Sequence, residues 1–168
     1  MMKTEITYKS AILIVTNLKS SEEENGAGLV ITEEGETTNK SIIDFRRGKN
    51  KSIIIVFWSH FSDDASLCVY LSEDENVLFA GGGSVSAVVD TSNLEILDIN
   101  YPDLFWGWEY IADHVLELGE LECRLYTPDG KCIGEAPVDP PYEYKATNSS
   151  IEFSSIVVGK SNIEFSRG

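Results

Sequence analysis

Apolar residues recur at every second position along most of this chain, and Val, Ile and aromatic side chains fill many of those positions. Successive side chains of a strand point to opposite faces, so this period buries one face of a sheet, a surface that β-branched and aromatic residues suit. The expected fold is mainly β: a single-domain antiparallel β meander or sandwich over residues 1–168, with at most one or two short helices. The length of 168 residues makes one domain the default. A hydrophobic content of 42% is enough to form a packed core.

The pattern divides into segments. Ile6, Tyr8, Ile12, Ile14 and Leu18 share a parity and read as one face of a long or bent first strand, which an acidic loop from Ser20 to Gly28 stops. Leu29 to Ile31 and Ile42 to Phe45 are short apolar groups. Ile53 to Trp58 is apolar on both parities and reads as a central strand buried on both faces, or as a strand under a covering element. Leu67 to Leu71, Val77 to Ala80, Ser84 to Val89 and Leu94 to Ile99 follow as a meander. Thr127-Pro128-Asp129-Gly130 is a turn joining Leu121 to Tyr126 with Lys131 to Ile133, because Pro presets φ and Gly accepts a positive one. Asp139-Pro140-Pro141 breaks any ladder, so a loop is expected before the last strands, Ile151 to Val158 and Asn162 to Phe165. Leu104, Trp108, Ile111, Val115 and Leu118 have helical spacing, which makes Asp103 to Leu118 the one candidate helix, although Trp106-Gly107-Trp108 fits a strand equally.

Charge is distributed less evenly than hydrophobicity. The formal net charge is -15, yet no Lys or Arg occurs from Ser52 to Cys123, a span that includes Asp63, Asp64 and twelve further acidic residues. The rest of the chain carries the other fourteen acids and all 13 bases and is close to neutral. Nucleic acid and anionic membrane are excluded as expected partners, because binding either normally takes a basic face. Apolar runs such as Ala11 to Val15 are far shorter than the roughly 20 residues of a spanning helix, and no signal-peptide pattern is visible, so a cytoplasmic location is expected.

The inventory for catalysis is thin. His60 and His114 form no metal motif, and Cys68, Cys123 and Cys132 lack metal spacing. Cys123 and Cys132 flank the Pro-Asp-Gly turn, but Cys132 should face Thr127 or Tyr126, which leaves Cys123 roughly 10–13 Å away, too far for a disulfide. Gly81-Gly82-Gly83-Ser84 is followed by a strand rather than a helix and has no nearby lysine, so it reads as a bend or bulge and not as a phosphate loop. Neighbouring acids such as Glu73-Asp74-Glu75 point to opposite faces of a strand and do not converge on a metal or a scissile bond. No catalytic residue, cofactor or metal site is expected.

Two resemblances are visible. Val77-Leu78-Phe79-Ala80-Gly81 matches Val115-Leu116-Glu117-Leu118-Gly119 thirty-eight residues later, with Gly159 as the candidate marker of a third copy; this resembles the strand-Gly-strand rhythm of propeller blades, without a Trp-Asp signature. In size, charge and lack of catalytic residues the chain is similar to small acidic bacterial proteins that neutralise toxins. That similarity implies a non-catalytic, immunity-type module whose acidic span docks a basic protein. Asp98, Asp103, Glu109, Asp113, Glu117 and Glu120 would then steer and pair with the partner's Lys and Arg, while Trp106 and Trp108 anchor it, since interfaces favour aromatic centres. Tyr101, Phe105 and Tyr110 lie among these acids. The alternative reading is a small enzyme or a carbohydrate or small-ligand binder with an aromatic and acidic cleft.

Overall fold

The computed structural model describes residues 2–19, 28–60 and 66–166; Asp63, Asp64 and residues 20–27 of the acidic loop lie outside them. Every regular element among the described residues is a strand. The fold is all-β, as the period-two pattern requires.

The first sheet contains β1 (Met2–Thr7), β2 (Ala11–Lys19), β3 (Leu29–Thr32), β4 (Asn39–Arg47) and β5 (Asn50–Trp58), in the order β1-β2-β4-β5-β3. The expected long first strand is instead a hairpin, closed by a bond from the Tyr8 amide to the Ala11 carbonyl. Its parity is also corrected. Ala11, Leu13 and Val15 enter the core, while Ile12 is 36% exposed on the opposite face. β5 lies between β4 and β3, with Ile54, Ile55, Val56 and Trp58 all buried, so this strand is interior as expected. Its pairing with β3 is parallel, which a pure meander did not anticipate.

Three further sheets follow in chain order. The second, with β6 (Cys68–Leu71), β7 (Val77–Gly82), β8 (Val85–Asp90) and β9 (Ile96–Asn100), is the expected antiparallel meander. The third has β10 (Phe105–Ile111), β11 (His114–Gly119), β12 (Glu122–Tyr126) and β13 (Cys132–Pro137). β10 and β11 replace the candidate helix. The chain reverses at Ala112 and Asp113, both with positive φ, and the helical spacing of its apolar residues arises because both faces of this sheet are covered. The fourth sheet has β14 (Tyr142–Ala146), β15 (Ser150–Ser155) and β16 (Lys160–Glu164). β14 was not expected, since its sequence Tyr-Glu-Tyr-Lys-Ala places charge on alternate positions and follows two prolines.

Apolar clusters join successive sheets. Leu13, Ile54 and Trp58 of the first meet Leu78 and Val85 of the second; Phe79 and Val88 of the second meet Val115 and Tyr126 of the third; Leu116 and Leu125 of the third meet Ile151 and Phe153 of the fourth. The middle sheets are thus buried on both sides, and every residue of β7 is buried. Close stacking explains the glycines. A Cβ on Gly81 would lie 2.6 Å from the Phe105 ring, and one on Gly130, whose φ is +88°, would lie 2.8 Å from Leu97. The glycine-rich run is a two-residue hairpin turn with Gly83 at φ +59°, which only glycine adopts without strain. The thirty-eight-residue offset relates the second strands of two neighbouring sheets, and Val77 and Val115 meet in one apolar cluster.

Candidate functional site

The eight residues expected to form one docking face occupy four different settings. Glu117 is 1% exposed on β11, between the second and third sheets. Its Oε1 accepts hydrogen bonds from Ser86 Oγ at 2.7 Å and Asn100 Nδ2 at 3.1 Å, and its Oε2 lies 3.0 Å from the Tyr126 hydroxyl. The same hydroxyl lies 3.0 Å from Asp98 Oδ2 and accepts from Arg124 Nη1 at 3.0 Å, and Arg124 Nη1 also bonds Asp98 at 3.1 Å. One phenol hydrogen cannot serve two carboxylates at once. All contacts are satisfied when Glu117 is protonated and donates to Tyr126, which in turn donates to Asp98. Burial raises the Glu117 carboxyl above its ordinary pKa, against the lowering effect of the hydrogen bonds it accepts as a carboxylate and of the Arg124 charge. Glu117 therefore does not meet solvent, which corrects its expected docking role. Asp98, with its side chain 27% exposed, is engaged by Arg124.

Trp108 is likewise turned inward. Its ring lies 5.4 Å from Phe79, 5.3 Å from Phe105 and 5.9 Å from Tyr126, centroid to centroid, so it is a packing residue rather than an exposed anchor. Glu109 points to the other face of the third sheet, where it accepts a hydrogen bond from the Tyr144 hydroxyl. Asp113 is exposed in the β10–β11 turn, at the end of the sheet away from Phe105. There its charge, after burial, raises the phenol of Tyr110, which stacks on Tyr70 at 6.1 Å.

Asp103, Trp106 and Glu120 remain, and the fold brings these three to one end of the third sheet. Phe105 pairs with Gly119, so the start of β10 and the end of β11 share one end of the sheet. The Glu120 amide donates to the Leu104 carbonyl at 2.9 Å, which ties the β11–β12 turn to the segment carrying Asp103. Trp106 is 46% exposed beside a register shift in β10, and its ring lies parallel to that of Tyr142, 5.2 Å away with a 2° interplanar angle. Tyr142 is held in place by donating to the Gly119 carbonyl at 2.9 Å. Leu121, 45% exposed, completes the apolar part. Glu122 begins the next strand. Its carboxyl is raised first by burial, then by the Glu135 charge, and Asp103 adds to this against the lowering effect of Arg124. On the face turned toward the second sheet, the Arg124 guanidinium lies 3.9 Å from both Glu122 and Glu135. Leu121, Glu122 and Tyr142 were missed by sequence reasoning. Alternation placed Leu121 and Glu122 in a strand but gave none for Tyr142, and it carries no information about which ends of strands meet.

Elsewhere the chemistry is structural. No group of three or more His, Cys, Asp or Glu suited to a metal occurs among the described residues. His114 Nδ1 lies 2.6 Å from the Ala112 carbonyl and its ring packs on Phe165 at 4.6 Å. Cys132 pairs with Tyr126 and Cys123 with Ala136, and all three cysteines are free. Among the described residues no helix is long and apolar enough to cross a membrane. No family model and no curated protein matches this sequence.

Proposed function

We propose that the protein is a non-catalytic docking module for a basic protein, of the toxin-neutralising kind, and that it works in the cytoplasm. The observation that carries this reading is the end of the third sheet, where exposed Trp106, braced by Tyr142, shares a strand end with Asp103, Glu120 and Leu121. An aromatic anchor gives affinity, and surrounding carboxylates speed encounter with a cation-bearing surface. A partner's Lys or Arg would offset the negative charge of Asp103 and Glu120, which lie in the span without bases.

The same stacked rings support a second reading, recognition of a sugar face by Trp106. Salt separates the two. The protein is immobilised and offered extract from its source at low ionic strength, and the retained protein is identified and purified. Docking predicts a basic protein whose association rate falls steeply from low to physiological salt and whose affinity drops at least ~30-fold with Trp106→Ala. Retention of a glycan with no salt dependence would replace docking by sugar binding.

A further inference from the structure

We infer that the tip of the β15–β16 hairpin, Ile156-Val157-Val158, inserts into an apolar recess of the basic protein that docks here. The inference rests on the docking reading above and adds the element that enters the partner.

The tip is at odds with its sheet. Glu143, Lys145, Glu152 and Lys160 make the outer face of the fourth sheet polar, in keeping with its contact with water. Hairpin tips ordinarily carry Gly, Asn, Asp or Ser. Here Ile156 and Val157 are 79% and 78% exposed and Val158 is 42% exposed. Exposed side chains of this kind contribute no burial energy to the fold, so core formation does not account for them. The tip is also built as a fixed projection. The Ser155 amide donates to the Gly159 carbonyl at 2.8 Å, Gly159 takes φ +82°, and β-branched side chains have few rotamers to lose on binding.

Its position links it to the docking surface. Ser155 pairs with Tyr142, so the chain runs from β15 past Tyr142 into the tip, and the Tyr142 ring is the one stacked on Trp106. The projecting tip and the Trp106 surface thus adjoin at one end of the molecule. Charge selects the occupant. Asp103 and Glu120, in the base-free span and at this end, disfavour an anionic bilayer and the same end of a second copy, while Lys160 flanks the tip itself. A basic protein with a concave apolar site is complementary to both the rim and the projection.

The test places a photo-crosslinking residue at position 157 of the full chain and, separately, at position 120. Each form is irradiated with source extract, and adducts are mapped by mass spectrometry. The inference expects one identified basic protein to be joined at both positions, with the 157 adduct in an apolar recess. With that protein purified, Val157→Asp should weaken binding at least ~30-fold without shifting the melting temperature. An adduct at 120 alone, or binding by Val157→Asp within about twofold of wild type, overturns the tip insertion and leaves the docking reading standing. Adducts only to a second copy of this chain, or to no basic protein at either position, overturn both.

Discussion

Oε2 of Glu117 lies 3.0 Å from the hydroxyl of Tyr126, which is itself 3.0 Å from Asp98 Oδ2. This line of three oxygens makes the charge state of a buried acid depend on hydrogen counting as well as on burial. The folded pKa of Glu117 is raised above 4.5. Between the unfolded value and the raised folded one, the folded chain holds a proton that the unfolded chain releases. The stabilisation is complete below about pH 4.5 and is lost as pH rises through the raised value. Glu117→Gln copies the neutral acid, with an amide that donates to Tyr126. Thermal melts from pH 5 to 8 should show wild type losing stability relative to Glu117→Gln as pH rises. A constant difference across that range would mean that Glu117 is ionised throughout.

Trp106 and Trp108 are two residues apart and should behave oppositely. Trp108→Ala removes a ring packed on Phe79, Phe105 and Tyr126, and should cost about 3 kcal/mol in denaturant unfolding. Trp106→Ala should change stability by less than about 1 kcal/mol and act on partner affinity instead. Equal destabilisation by both would place Trp106 in the core.

Gly81 is constrained by the neighbouring sheet. Ala at this position would bring a Cβ to 2.6 Å from Phe105, so Gly81→Ala should destabilise by about 1–3 kcal/mol through overpacking. Gly107 is the control. A Cβ there would have no other atom within 4 Å, so Gly107→Ala should give a much smaller change in urea midpoint.

Glu75 ties the second sheet to the first, accepting hydrogen bonds from the Ser10 amide at 2.7 Å and from the Ser10 hydroxyl, with Arg47 beside it. These hydrogen bonds, chiefly those from Ser10, hold its carboxyl below the ordinary 4.5. The sign is opposite to that of Glu117: the contribution is present above about pH 4.5 and lost as pH falls through the lowered value. Acid titration of Glu75→Gln should therefore show a shallower loss of stability below pH 4.5 than wild type. An unchanged acid limb would show that Ser10 and Arg47 do not hold this carboxylate.

Most strands were legible because alternation and turn chemistry are local. The Pro-Asp-Gly turn, the meander from Cys68 to Asn100 and the interior position of Ile53 to Trp58 all follow from neighbours in sequence. β10 and β11 were ambiguous because a strand covered on both faces loses its alternation and can imitate helical spacing. The candidate site was legible only in part. Asp103, Trp106 and Glu120 converge, whereas Glu117 and Trp108 have the same composition signal but point into the stack.

Sequence alone determined that this chain forms sheets, that its bases avoid one long span and that glycine must occupy certain turns, since each depends on side-chain period, charge or φ at a single position. Tertiary structure decided which carboxylates remain in water. Stacking four sheets closes one face of β11 over Glu117 and leaves the ends of β10, β11 and β15 open, and burial of that kind is a property of neighbours that are distant along the chain.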